Sequence, residues 1–318
     1  MKKVILASMV CGTLLMGAGA GQPANADFPE RRIEFIVAWN AGGATDLITR
    51  AVTPKLAEIL GVDVSVRNIA GAAGTIGTAQ FTRANPDGYT LLQTPAGPVI
   101  MQPHLRDTGY GLEDMEPICR LSLAPLALMV PQESPYKSVD DLVDAAKASP
   151  GGIDYGSAGA GTLPHVSMIG LSQVADVEMT HVPYQGSAPA MRALLGGEVD
   201  AVSEQSNLVP RYELRALGLW SEERTSEMPD VPTMKEQGYD LTFANWNAWY
   251  APPGTPKDVV NKLADACEKA LQDPAVIKAI QEDQETPIQF LGPEDLREFH
   301  RTQFEVAEEL LRASGLTD

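Results

Sequence analysis

The sequence predicts an α/β protein made of two units, each a parallel sheet with crossover helices. Three observations point there. Short β-rich runs alternate with runs of helical spacing through most of the chain. Several of those β-rich runs pass straight into glycine- or serine-rich turns, and the alternation starts afresh at LALMVP (126–131).

The first strand is IEFIVA (33–38). Behind it Ile48, Val52, Leu56 and Ile59 recur at steps of three and four and define one helical face. Thr45 is the expected N-cap, Asp46 suits the positive end of the helix dipole, and Gly61 marks the stop. VSVRNI (64–69) reads as the second strand, and GAAGTIGTAQ opens a second helix. Pro86, Asp87 and Gly88 then turn the chain into the strand YTLLQT. In the second unit LALMVP leads to the helix SVDDLVDAAKAS, capped by Ser138 and ended by Pro150, Gly151 and Gly152. The strand IDYGSA (153–158) runs through GAGTLPH into a helix beginning near His165, and MTHVPYQ, SAPAMRALLGG, VDAVSE and LRALGLW continue the pattern. Beyond Trp246 come APPGTP and two helical patterns, 256–272 and 293–313, with no strand sequence strong enough for a third domain. These helices are expected to return to the first unit, so that the chain crosses between units near residues 129 and 247. The division predicted is a leader at 1–26, domain 1 at 27–129 plus 247–318, and domain 2 at 130–246.

The leader has the form of a signal peptide: a basic MKK, an apolar run rich in small residues, and the triplet Ala24-Asn25-Ala26 before Asp27. An exported protein is therefore expected. Loss of Lys2 and Lys3 takes the formal charge from −18 to −20 over the remaining 292 residues, which argues against a nucleic-acid partner. It does not argue against a small anion, because charges more than about 8 Å away are screened at physiological salt. Two cysteines remain, Cys119 and Cys267, and an oxidising compartment allows them to pair; two free buried thiols are the competing reading.

Three turns follow strands and precede helices: AGGATD (41–46), GSAGAGT (156–162) and QGSAPA (185–190). Small residues there leave the first amides of each helix uncovered, and such amides, aided by the helix dipole, attract anions. Any one such turn can be small merely because the connection is tight. Three that should gather at the carboxyl ends of the strands favour a ligand site. Nucleotide motifs are missing: GAAGTIGT lacks the Lys-Ser/Thr of a P-loop, and no G-x-G-x-x-G follows IEFIVA. His104, His165, His181 and His300 show no metal-ligand spacing, and neither cysteine belongs to a C-x-x-C. Neither cofactor nor metal is expected. Ser157 in YGSAG falls one glycine short of a nucleophile elbow, so an acyl hydrolase is the weaker reading. Glu204 follows the strand VDAV and is expected to point toward the cleft, where it would favour a ligand bearing an amino, hydroxyl or protonated group. The competing reading makes it a solvated strand end. Trp39 and Trp246 are candidates for flat apolar walls, or else core residues.

In this order the motifs IEFIVAWNAGGATD, NIAGAAGTIG, NPDGYTLL, DYGSAGAGTLPH, HVPYQGSAPAMRALLGGEVDAV, MPDVPTMKEQGY and YAPPGTP resemble the substrate-binding proteins of tripartite tricarboxylate transporters, the Bug family. The resemblance spans nearly all of the chain after the leader. It implies a periplasmic binding protein of type II, with two α/β domains, a ligand cleft between them and two chain crossings. It also implies capture of a di- or tricarboxylate or an aromatic carboxylate, delivery to membrane permease subunits, no catalysis, and action as a monomer in the periplasm. A periplasmic sensor that presents its closed form to a membrane kinase is the alternative. The ligand residues implied are Asn40, Ala41, Gly42, Gly43, Ala44, Thr45 and Asp46 in the first loop. The second domain is expected to add Ser157, Ala158, Gly159, Thr162, Tyr184, Gly186, Ser187 and Ala188, with Glu204 beside them. The first loop departs from the family's usual P-F-x-P-G-G, with Trp39-Asn40-Ala41 in place of the Phe-x-Pro portion.

Overall fold

The computed structural model describes residues 28–225, 227–284, 286–313 and 316–317. The predicted signal peptide lies outside these residues. In chain order the first part comprises β1 (Ile33–Val37), α1 (Ala44–Leu60), β2 (Val64–Asn68), α2 (Thr75–Phe81), β3 (Thr90–Pro95) and α3 (Gln102–Leu105). The long strand β4 (Glu116–Val130) leads to α4 (Val139–Ala148), β5 (Asp154–Ser157), α5 (Leu163–Val174), β6 (Thr180–Pro183), α6 (Ser187–Leu195), β7 (Ala201–Gln205), α7 (Leu208–Arg211) and β8 (Arg215–Leu219). The return is made by β9 (Ala244–Ala251), α8 (Lys257–Leu271), α9 (Pro274–Ile277), β10 (Ile288–Leu291) and α10 (Pro293–Ala313).

The strands hydrogen-bond in the order β2-β1-β3-β9-β4-β7-β5-β6, with β8 and β10 also on β4. β1 runs parallel to β2 and β3, and β5 runs parallel to β6 and β7, giving the two parallel groups expected. They are joined by antiparallel pairing: β9 lies on β3, and β4 on both β9 and β7. β4 pairs with β9 through Pro125 and changes partner at Leu126, which faces Gln205 of β7. One strand thus belongs to both halves of the sheet.

The sequence reading recognised only the last part of β4. Its first part, EPICRLSLAP, is buried almost throughout, Arg120 and Ser122 included, so no face of it is solvent-exposed as in a half-exposed strand. β9 and the short β10 were also missed as strands. Thr45 is not a cap: the helix begins at Ala44 after an extended Gly43, and no side chain caps it. Ser138 does cap α4, accepting a hydrogen bond from the Asp141 amide while Asp141 reaches back to the Ser138 amide.

Among the described residues three cores hold the strands, the smallest of them made by Ala127, Met129, Met191, Leu194 and Val202. Ile48, Val52 and Leu56 of α1 pack with Val259, Val260 and Leu263 of α8 against Phe35, Leu91 and Trp249 of the sheet. Burial of each such side chain contributes roughly 1.5–3 kcal/mol. The second core runs without a break from Leu92 and Tyr250 to Leu128, Leu142 and Leu171. Trp246 belongs to it and is fully buried, so this tryptophan is core rather than cleft wall. Cys119 on β4 is bonded to Cys267 on α8.

Candidate functional site

The site is built where three helices begin. Leaving β1, the chain passes Trp39 and Asn40 and turns at Gly42, whose φ of 79° is left-handed and suits glycine. Asp46 shapes this turn from below. Almost fully buried, it accepts hydrogen bonds from the Gly42 amide (2.8 Å), Arg50 Nε (3.0 Å) and Asn68 Nδ2 (2.9 Å). Burial alone would raise its pKa, but the bonds from Arg50, Gly42 and Asn68 outweigh that and hold it below the usual carboxylate range. Gln93 fixes the helix start from the sheet side. Its Nε2 donates to the Thr45 carbonyl (3.2 Å), and Trp249 Nε1 donates to its Oε1 (2.7 Å).

In the second half the turn after β5 rests on a buried stack of rings. His165 and His181 stack with centroids 3.8 Å apart, and Tyr155 lies against His181 at 5.0 Å. The Gly161 amide donates to His165 Nδ1 (3.0 Å). Ser157 Oγ contacts His181 Nε2 (2.7 Å) and accepts from the Gly159 amide (3.2 Å). Burial pushes the pKa of each imidazole down to about 4, with His181 adding to the effect on His165, so both rings are neutral at physiological pH. A serine bonded to a neutral histidine would suit a nucleophile. Ser157, however, is wholly buried and does not border the cavity, so its hydroxyl serves the turn.

Between the halves lies a cavity of about 260 Å³. Asn40, Ala41, Gly42, Gly43, Ala44 and Thr45 line it from one side. From the other come Ala158, Thr162, Gly186, Ser187, Ala188 and Glu204. The expected residues that it leaves out are Asp46 and Ser157, which are buried behind their turns, and Gly159 and Tyr184. The last two line an adjoining groove with Ala72, Ala73 and Arg106, which shares Trp39, Asn40, Ala158 and Gln185 with the cavity. Trp39 is thus a wall of both spaces.

The glycine amides of the turns are mostly taken by the protein itself. Gly42 donates to Asp46, Gly43 to the Asn40 carbonyl (3.3 Å) and Gly186 to the Ala158 carbonyl (3.1 Å). The amides left for a ligand are those of the first helical turns, which have no intrahelical acceptor: residues 44–46 of α1 and residues 187 and 188 of α6. The two helices meet at one cavity, so their positive ends favour an anion between them.

Glu204 lies at the end of β7 and is only 2% exposed. Its Oε2 accepts from the Gln205 amide (3.1 Å). Burial raises its pKa to about 7, against the smaller lowering by Gln205 and Ser187. It is neither a solvated strand end nor part of an ion pair.

Residues that sequence reasoning missed include Gln205, Asn207, Arg211, Asn245 and Gln284. Among the described residues Arg211 is the one Lys or Arg on the cavity wall, and it is exposed, without an ion pair. Its only signal in the sequence is its place just beyond VDAVSE, in the connection that leaves the carboxyl end of a strand. Hydrogen bonds bridge the cleft: Gln102 Nε2 donates to the Gly161 carbonyl (2.9 Å), and Asn207 Nδ2 donates to the Gln284 carbonyl (2.6 Å) and to Thr286 Oγ1 (3.2 Å). Among the described residues no group of three His, Cys, Asp or Glu side chains could hold a metal, and no helix is long and apolar enough to cross a membrane.

Comparison with known proteins agrees with this geometry. Residues 48–316 match the model of the tripartite tricarboxylate transporter family receptor. Protein BugT of Bordetella pertussis is 34% identical over 318 residues, covering 96% of this chain and 95% of BugT. MatC from Rhodopseudomonas palustris, solved with bound malate, superposes with a TM-score of 0.82 at 27% identity, covering 89% of this chain and all of MatC. A second R. palustris protein, solved with adipate, gives a TM-score of 0.84 at 26% identity over 91% of this chain and 99% of that one.

Proposed function

The chain belongs to the tripartite tricarboxylate transporter receptor family, and on that premise we propose that it captures a small di- or tricarboxylate between its two halves and delivers it to a membrane permease. The family consists of receptors rather than enzymes. One observation carries the choice of ligand class: the first turns of α1 and α6 open onto the same cavity, and an uncommitted cation, Arg211, stands on its wall. One carboxylate fits at the helix starts, where a few bonds of about 1.5–3 kcal/mol each reach the roughly 8 kcal/mol of micromolar binding. A second carboxylate has Arg211. The malate and adipate held by the two solved relatives support the same class.

The contact set proposed is Asn40, Ala41, Gly42, Gly43, Ala44, Thr45, Ala158, Thr162, Gly186, Ser187, Ala188 and Glu204. Domain 1 is assigned to residues 27–129 plus 247–318 and domain 2 to 130–246, and opening would bend β4 and β9 where they pass between the halves. The protein would work in the periplasm after removal of residues 1–26, as a monomer. A thermal-shift screen of mono-, di- and tricarboxylates tests the reading, because a ligand that binds only the folded form raises its melting temperature. Dicarboxylates or tricarboxylates should give the largest shifts. In Ala44→Asp a tethered carboxylate occupies the start of α1, so the shift should vanish. No shift with any carboxylate, or one undiminished in Ala44→Asp, rejects the site.

A further inference from the structure

Resting on that reading, we infer that the groove beside the cavity is a second subsite, which takes the far end of long-chain dicarboxylates and holds their second carboxylate on Arg106. The groove has a volume of about 310 Å³ and joins the cavity along Trp39, Asn40, Ala158 and Gln185. Both halves build it. Residues 70–74, between β2 and α2, and Arg106, just beyond α3, come from one side, and Gly159, Ala160 and Pro183 from the other. A ligand seated in the cavity therefore has room to extend within the cleft. The groove is shaped for an apolar chain: no acidic side chain borders it, and along 70–74 and 158–160 its lining is glycine and alanine alone. Ala72 and Ala73 have left-handed φ angles of 47° and 53°, a path that alanine rarely takes. Backbone held in this way clusters where ligands are clamped. The same turn seats the indole of Trp39. A Cβ at Gly74 would fall 2.5 Å from Pro98 Cγ and 3.5 Å from Trp39 Cε2, so glycine is what lets the turn pass this close. Trp39 thereby gives one flat wall shared by cavity and groove.

Arg106 is carried to the groove by a contact across the cleft. Gln102 on α3 donates to the Gly161 carbonyl (2.9 Å), and a Cβ on Gly161 would lie 2.3 Å from Leu105 Cδ1, so the end of α3 rests on the turn after β5. Arg106 follows directly, exposed and, among the described residues, without an ion pair. Its neighbour Asp107 is turned away to the Gly109 amide (3.0 Å). The guanidinium therefore keeps its planar set of donors for a carboxylate. Arg211 borders the cavity and not the groove, and Arg106 the groove and not the cavity. The two arginines divide diacids by length, short ones closing on Arg211 and long ones reaching Arg106.

The test is calorimetric titration of the full chain with succinate, adipate, suberate and sebacate, and with octanoate as the monoacid matched to suberate. Affinity should rise along the diacid series as methylenes leave water, by about fourfold at most for each. Arg106→Gln should weaken suberate and sebacate by about tenfold, the scale of one charge-assisted contact at an exposed position, and leave succinate as it was. Arg211→Gln should do the reverse. Octanoate should bind the wild type about as weakly as suberate binds Arg106→Gln. Ala160→Phe, which sets a ring into the groove, should abolish the advantage of sebacate over succinate. Exclusion of suberate and sebacate while succinate binds, a loss in Arg106→Gln that is equal for every diacid, or long-acid affinity unchanged in Arg106→Gln or in Ala160→Phe overturns the inference and leaves the proposed function standing. Failure of every diacid, succinate included, rejects the proposed function and the inference with it.

Discussion

Arg211 has no carboxylate of its own to neutralise, and its guanidinium offers a planar pair of donors to a ligand's second carboxylate. Arg211→Gln is expected to weaken a bound dicarboxylate by roughly tenfold, the scale of one charge-assisted contact at a partly exposed position. Monocarboxylate binding should be unchanged, and calorimetry with matched mono- and diacids reads the difference. Little of this was legible in the sequence, because LVPRY carries no spacing that distinguishes a cleft arginine from a solvated one. Small residues such as Ala44 and Ser187 were legible for the opposite reason: a turn that leaves helix amides uncovered must be built from them. Direction was not legible. Ser157 and Ser187 occupy similar turns, yet the first points inward to His181 and the second toward the cavity.

Among elements, the turn between β5 and α5 depends on two imidazoles that the fold keeps neutral. In the unfolded chain each takes a proton near pH 6.5, and in the folded chain only near pH 4. Their folded pKa values are depressed, so the unfolded state binds more protons in that window. The associated stability is whole above pH 6.5 and is lost as pH falls toward 4. The melting temperature is accordingly expected to drop by several degrees over that interval. In His181→Gln the drop should be smaller, because one of the two groups no longer titrates; scanning calorimetry at three or four pH values checks it. Helical periodicity and the glycine turns made β1, α1, α4, α5 and α6 readable. β9 was not, because NWNAWY is buried at nearly every position and reads as well for core as for strand.

At the scale of the molecule, alternation of strand and helix patterns was enough to give two parallel groups, but not the antiparallel seam between them, since pairing across 100 residues leaves no local mark. The Cys119–Cys267 bond closes a loop of 148 residues in one half of that arrangement. Chain-entropy arguments set its contribution at about 5 kcal/mol at most, so reduction should lower the melting temperature by on the order of 10 °C. A scan with and without reductant measures this, and an unchanged midpoint would show that the bond adds nothing. A last consequence follows from β4, whose residues serve one half up to Pro125 and the other from Leu126. No cut of the polypeptide separates the lobes cleanly: a fragment ending at Pro125 would bare the flanks of β3 and of the first part of β4, and one starting at Leu126 would bare the flank of β9. Exposed flanks of that kind invite intermolecular strand addition. Expressed alone, either lobe should precipitate, whereas complementary fragments made together should reassemble along the severed strand.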